Sequence, residues 1–286
     1  MAELIIEAGR TEGQYWRDLW RYRELFYVLA WRDIAVRYKQ TAVGVAWALI
    51  QPLINTVLLV FIFQYIAQMK STGDVPYPLL VFAASMPWQF FSAALGGTSQ
   101  SVLSSAGLIS KIYFPRLIVP SSAVVTALAD LGVAFILLAG MMVWFHFLPN
   151  WHILFLPLFI ALAFCAALGP GLLLTALTVK YRDFRFITPF IIQVGTLASP
   201  VGYSSVVPAE RLPKLTAHLH LPVDPMAIYS LNPMVSVIEG FRWCLLGGPL
   251  ALSASNFVLS AAMTFFLLFL GVWYFRKTEK SFADVI

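Results

Sequence analysis

Residues 117–179 read LIVPSSAVVTALADLGVAFILLAGMMVWFHFLPNWHILFLPLFIALAFCAALGPGLLLTALTV, and this stretch decides the fold. It contains no lysine or arginine, one carboxylate (Asp130) and two histidines (His146 and His152). A bilayer core about 30 Å thick takes about 20 apolar residues of helix, so the stretch is long enough to cross twice. Pro149 and Asn150 are turn formers and divide it, so it reads as a helical hairpin turning between His146 and Trp151. The first arm, 117–147, would run about 46 Å as a straight helix, which puts Pro120 near its start and leaves part of it tilted or protruding.

Working outward, apolar stretches of the same kind recur, and six spans are predicted near 42–68, 77–103, 117–147, 151–179, 186–206 and 255–275. The composition agrees: 60% of the chain is hydrophobic and 12% charged, where a soluble domain shows about 45–50% and about 25%. The mean hydropathy is +0.79. A water-soluble enzyme, a disordered chain, a collagen and a disulfide scaffold are thereby excluded, and Cys165 and Cys244 supply neither a metal cluster nor a bridge framework. The predicted class is an all-α polytopic membrane protein.

Fifteen of the nineteen basic residues fall in alternate inter-span segments: seven before the first span, then Lys111 and Arg116, then Lys180, Arg182 and Arg185, then Arg276, Lys277 and Lys280. The positive-inside rule places these segments and both termini in the cytoplasm, and an even number of spans agrees. The net charge of +5 therefore reports orientation, and no nucleic-acid partner is expected.

Residues 1–41 carry thirteen charged side chains and no apolar run before a small-residue cleavage site, so they are not a removable signal. Trp16, Leu19, Trp20, Tyr22, Leu25, Phe26 and Leu29 interleave with Arg17, Arg21, Arg23 and Arg32, the composition of an amphipathic helix lying in the interface. Asp33 shares a face with Leu29 and Val36, so a bend is predicted near Arg32–Asp33; the alternative is a solvated, partly ordered tail. The transmembrane domain is read as 42–278 and the cytoplasmic tail as 279–286.

About 48 residues join the last two spans. Asn232-Pro233 is a helix start, because Asn caps free N–H groups and Pro suits the first helical position. Glu239 and Arg242, three apart, can pair on the surface of the following helix. Pro200, Gly202 and Pro208 should end or kink the fifth span early. A re-entrant pair of short helices fits this composition; an ordinary surface loop is the alternative.

The dipeptide Gly-Lys never occurs, so the chain has no phosphate-cradling loop of the G-x-x-x-x-G-K-[ST] kind. Asp130 is the only ionisable residue deep in a confident span. It is thin support for a proton relay; it could equally be protonated, bonded to a neighbour such as Thr126, or facing water. His146, His152, His218 and His220 gather at the predicted outer face without a partner acid or cysteine, so no metal site is predicted, and no catalytic residue is identified. By elimination, energy is expected from a separate partner. Most aromatics of the first two spans should pack or sit in interface belts. A subset, with Trp47, Tyr65, Trp88 and Phe91 as candidates beside Asp130, would line a conduit.

Four segments together resemble permeases of the type-2 ABC transporter family that export polysaccharides and polyol phosphates. They are Arg32-Asp33-Ile34-Ala35-Val36-Arg37-Tyr38-Lys39-Gln40-Thr41 with Gly44, Trp47 and Gln51-Pro52-Leu53; Leu108-Ile109-Ser110-Lys111-Ile112-Tyr113-Phe114-Pro115-Arg116; Lys180-Tyr181-Arg182-Asp183; and Leu231-Asn232-Pro233 with Glu239-Gly240-Phe241-Arg242. Their common order over roughly residues 30–278 makes the match specific. The resemblance implies a homodimer of six-span permeases with two copies of an ATP-hydrolysing subunit, which holds the ATP and Mg; no cofactor is expected in this chain. Segment 104–116 would dock on that subunit, with Leu108, Ile109, Ile112, Tyr113 and Phe114 in apolar contact and Lys111 and Arg116 orienting it. Arg182 and Asp183 would form a second contact or brace their own loop. The implied cargo is an undecaprenyl-linked polysaccharide crossing the bacterial inner membrane. O-antigen is favoured, with capsule, teichoic acid or a smaller lipid or drug left open. Arg17, Arg21, Arg23, Arg32 and Arg37 would face the lipid head group. A membrane enzyme or scaffold of glycan assembly is the reading from another class. In sealed cells Lys111→Cys should react with an impermeant maleimide only after permeabilisation; labelling from outside would invert the topology.

Overall fold

The computed structural model describes residues 12–39, 44–69, 71, 75–219 and 224–282. Readings that fall on Arg10, Gln40, Thr41, Lys70, His220 and 283–286 lie outside the described residues, as do the side chains of Lys39, Gly44 and His218. Among the described residues there is no strand. The helices are α1 Glu12–Arg21, α2 Arg23–Lys39, α3 Gly44–Val60, α4 Tyr77–Ser104, α5 Ala106–Ile109, α6 Ile118–Trp144, α7 Leu156–Lys180, α8 Phe184–Ala198, α9 Val206–Leu219, α10 Pro225–Ser230, α11 Pro233–Leu246 and α12 Ala254–Thr278. α3 continues as a π-helical turn over Phe61–Ile66, and 3-10 turns at Trp151–Phe155 and Glu279–Ser281 precede α7 and follow α12.

Five helical stretches are long and apolar enough to cross a membrane: Ala46–Ile66, Tyr77–Ser104, Ile118–Trp144, Trp151–Lys180 and Ala254–Ser281. The fifth span expected at 186–206 is represented by α8, which has 15 residues and so reaches only about 22 Å. It stops where Ser199, preceding Pro200, turns extended with ψ 152°, because the proline ring crowds a helical conformation in the residue before it. Among the described residues there are therefore five helices of full length and one short apolar helix. The predicted hairpin is present. α6 ends at Trp144, His146 turns the chain with φ +52°, and the Asn150 side chain accepts the Trp151 N–H at 2.7 Å to begin the next helical turn.

α4 is the axis of the bundle: 78% of its most apolar window is buried within the protein, against 17–33% for the other four stretches. Without a hydrophobic driving force between helices in lipid, close packing and interhelical hydrogen bonds must hold them together, and small residues allow it. α4 meets α7 where Thr175 donates its hydroxyl to the Thr98 carbonyl at 2.7 Å, and a Cβ on Gly171 would lie 2.9 Å from the Thr98 methyl. α7 meets α12 at Gly169 and Gly271, which touch backbone to backbone; a Cβ on Gly169 would fall 2.6 Å from the Leu268 nitrogen.

The N-terminal helix is interrupted at Tyr22, between α1 and α2, and is continuous through Arg32–Asp33, where a bend was expected. Asp33 pairs there with Arg32, 2.8 Å away on the helix surface. Leu29 buries its side chain with Phe114, Ile118 and Val119 at the start of α6, while Trp16, Trp20, Tyr27 and Trp31 remain exposed. Gly271→Ala should lower the thermal midpoint of the detergent-solubilised protein, with a cost of about 2 kcal/mol from overpacking, whereas Gly132→Ala, whose Cβ meets only open space, should not lower it.

Candidate functional site

A cavity of about 1130 Å³ opens between α2, α3, α4, α6 and α8. Of the predicted conduit residues, Trp47, Trp88 and Asp130 line it. Tyr65 and Phe91 do not: Tyr65 is exposed on the π-helical turn, and Phe91 is buried in the core with its ring 5.3 Å from that of Trp88. Trp88 donates its indole N–H to Thr196 at 2.9 Å, across to α8, where Gly195 leaves room for the ring. Tyr38, Gln51, Asn55, Gln89 and Thr196 also line the cavity and were not among the candidates. Amides inside apolar spans are costly unless they face a cavity or a partner, and that signal was present at Asn55 and Gln89.

At one side of the cavity Asp130 accepts a hydrogen bond from the Tyr38 hydroxyl at 2.6 Å and pairs with Arg37. Thr126, the neighbour considered from sequence, instead donates to the Ser122 carbonyl at 3.0 Å. Burial, followed by the hydrogen bond to Asp130, pushes the Tyr38 phenol up to about 12, so it remains a donor. Arg32 and Arg37 also border a second cavity, of about 380 Å³, with Asp33, Ser101, Ser104 and Thr126 on its walls. Arg17, Arg21 and Arg23 are exposed on α1 and the start of α2 and line neither cavity.

At the end of the bundle where α4, α6, α7 and α12 converge, segment 104–116 has two faces. Lys111, Ile112 and Tyr113 point outward, the last two each 51% exposed. Phe114 is 4% exposed in a cluster with Leu29, Ile118 and Val119, against which Leu108 and Ile109 pack. The Arg116 guanidinium turns inward to donate to the Glu279 carbonyl. Phe114, expected in apolar contact with a partner, is thus buried in the chain's own core with Pro115, and Arg116, expected to orient the segment, does so by bonding inward to the C-terminal turn. Nearby, Arg182 and Asp183 are exposed and no ion pair joins them to each other among the described residues.

At the opposite end, the Asn232 side chain accepts the Met234 N–H at 3.0 Å and donates to Ser199 at 2.8 Å, so the cap of α11 also ties down the end of α8. Glu239 and Arg242 pair at 3.0 Å, as their spacing predicts, but their side chains are only 4% and 7% exposed rather than on the helix surface. Glu239 accepts from the Ser205 hydroxyl at 2.7 Å, and Arg242 donates to the carbonyls of Val201 at 3.2 Å and Leu80 at 3.4 Å. The three-residue spacing specifies the partner, whereas burial comes from α4 and the 199–205 turn covering that face. Nearby, the His152 ring contacts Trp151 and Trp243 at tilted angles, with centroids 4.5 and 4.2 Å away. Among the described residues no group of three or more His, Cys, Asp or Glu could hold a metal.

Membrane-length helices around a braced axis, a cavity with aromatic and amide walls, and a two-faced loop at one end are the architecture of a polytopic membrane protein. The chain belongs to the ABC-2 type transporter family, whose profile matches residues 24–246. It is similar to an O-antigen export system permease protein RfbA of Myxococcus xanthus, 26% identical over 94% of this chain and 98% of that protein. It is also similar to an RfbA of Klebsiella pneumoniae, 23% identical over 92% of this chain and 95% of that one. A polysialic acid transport protein KpsM of Escherichia coli is 23% identical over 87% of this chain and 92% of its own length.

Removing one partner of a buried, hydrogen-bonded ion pair leaves an uncompensated charge, a loss of about 3 kcal/mol or more. Glu239→Leu should therefore strongly lower the thermal midpoint in detergent, and adding Arg242→Met should recover most of that loss.

Proposed function

We propose that this chain is the permease subunit of an ATP-driven exporter that moves a lipid-linked polysaccharide across the bacterial inner membrane. Both termini and segment 104–116 lie on the cytoplasmic side, where fifteen of the nineteen basic residues fall. Two copies form the conduit. Each carries one copy of a separate nucleotide-binding subunit, in which ATP and Mg are held. O-antigen is the favoured cargo and capsule the alternative, in keeping with relatives named for O-antigen export and for polysialic acid transport.

The observation that carries this reading is the knob formed by Lys111, Ile112 and Tyr113. Two apolar side chains and a cation are exposed at the tip of a loop whose other face is locked into the core by Phe114 and Arg116. A rigidly backed apolar tip suits a groove on a partner, because little conformational freedom is lost on docking. Arg182 and Asp183, exposed and not paired to each other, supply the second contact. ATP binding shifts the permease toward its transporting state only to the extent that the closed partner dimer binds that state better. In the membrane, the large cavity serves as each protomer's share of the conduit, where Trp47 and Trp88 offer faces to sugar C–H surfaces and Gln51, Asn55 and Gln89 offer hydrogen bonds. The arginines of α1 and α2 face the anionic lipid head group.

The test is a pull-down of the P-loop ATPase encoded nearest the permease gene. Ile112→Ala combined with Tyr113→Ala should reduce its co-purification at least about tenfold, as for central interface contacts, while leaving membrane insertion intact. An undiminished complex would place the docking surface elsewhere.

A further inference from the structure

The residues that follow α12 gather three separate parts of the chain at the end of the bundle where segment 104–116 lies. Phe282 is 1% exposed, its ring edge-on to Phe275 at 5.4 Å. Both belong to a cluster with Val102 of α4, Leu117 and Val179 of α7, against which Tyr15, Leu19 and Ile109 pack. Glu279 is the polar half of the same junction. Its carbonyl accepts from Arg116, its carboxylate accepts from the Tyr15 hydroxyl at 2.9 Å, and Arg276 lies 3.8 Å from that carboxylate while stacking over the Tyr15 ring at 3.5 Å. The Arg116 guanidinium also sits 6.0 Å from the Phe282 ring centroid. Burial, reinforced by the Glu279 carboxylate, holds the Tyr15 phenol well above its ordinary range, so it stays a donor.

The chain that reverses into this pocket is short, a 3-10 turn over Glu279–Ser281 with Phe282 at its end. It is not a loose extension of α12. Its backbone is held by Arg116, the last residue of the docking loop, and its ring is held by the core. A displacement of the loop therefore acts on α12 through a hydrogen bond and an aromatic contact, without passing through the intervening helices.

We propose that Glu279–Phe282 is a clip that transmits movement of segment 104–116 to α12 and to the N-terminal helix α1, with Phe282 and Glu279 as positioning residues for energy coupling. This rests on the reading that an ATP-hydrolysing subunit docks on that segment. Coupling between distant sites requires a physical element whose two arrangements both sites bias. The clip joins the ends of such a path: Arg116 closes segment 104–116 and bonds the Glu279 carbonyl, while Glu279 and Phe282 contact Tyr15 and Phe275. α12 and α1, otherwise far apart in the chain, then move as one unit with the loop.

The experiment measures glycan moved per ATP hydrolysed by the permease–ATPase complex, in vesicles carrying the lipid-linked glycan of the parent strain. Phe282→Ala should keep the ATPase bound and hydrolysing while this ratio falls about fivefold or more, the low end of common coupling strengths. Phe282→Leu, which refills the site, should restore the ratio. A role confined to folding would lower export and hydrolysis together and leave the ratio unmoved, so an unchanged ratio in Phe282→Ala overturns the proposal. Should that variant fail to accumulate in membranes, Tyr15→Phe, which removes only the hydroxyl bonded to Glu279, carries the same test: a lower ratio supports the clip and an unchanged one overturns it. Absence of the ATPase from the complex of the unsubstituted protein would overturn the docking reading and the clip with it. A normal complex with an unchanged ratio overturns the clip alone.

Discussion

The crossing of α4 and α7 at Thr98, Gly171 and Thr175 is the contact on which the remaining packing depends. In lipid an apolar side chain gains nothing by leaving hydrocarbon for another helix, so association must come from close contact and from hydrogen bonds that have no competing water. Thr175 bonds both the Thr98 carbonyl at 2.7 Å and its own Gly171 carbonyl at 2.8 Å, and Gly171 lets the two backbones approach closely enough for the first of these. With α4 held there, α6 packs on one flank, where Thr98 reaches the Pro120 carbonyl at 3.4 Å. α12 joins through the glycine contact with α7.

The two ends of this bundle are built differently. At one end a buried ion pair and a capped helix weld α11 to α4 and to the 199–205 turn. At the other, charged and aromatic groups from the N-terminal helix, segment 104–116 and the C-terminal turn meet around Glu279 in a partly buried cluster. Such contacts are individually weak where solvent reaches them.

Much of the architecture was legible in the amino-acid sequence, because spans and caps are local. Asn232-Pro233 caps a helix through atoms two residues away, and the apolar hairpin turns where Pro149 and Asn150 stand. At 186–206 the apolar count ran on past Ser199-Pro200, although Pro200 was expected to end or kink that span early, and the backbone leaves the helix there. The remaining errors follow from non-local physics. Phe114 and Arg116 look like their outward neighbours in composition, and only the position of α2 and of the C-terminal turn decides which way they face.

The chain's order of residues thus determined on its own that this is a helical membrane protein, where its helices begin and turn, and that its energy is expected from outside the chain, because each of these depends on the composition of a short window. The tertiary structure alone decided that Arg37 and Tyr38 reach Asp130, that Glu239 and Arg242 are buried, and that Phe282 and Arg116 meet behind segment 104–116. Those partners lie up to 166 residues apart in the numbering, and whether a charge is covered or a ring enclosed is a property of neighbouring helices that no local pattern encodes.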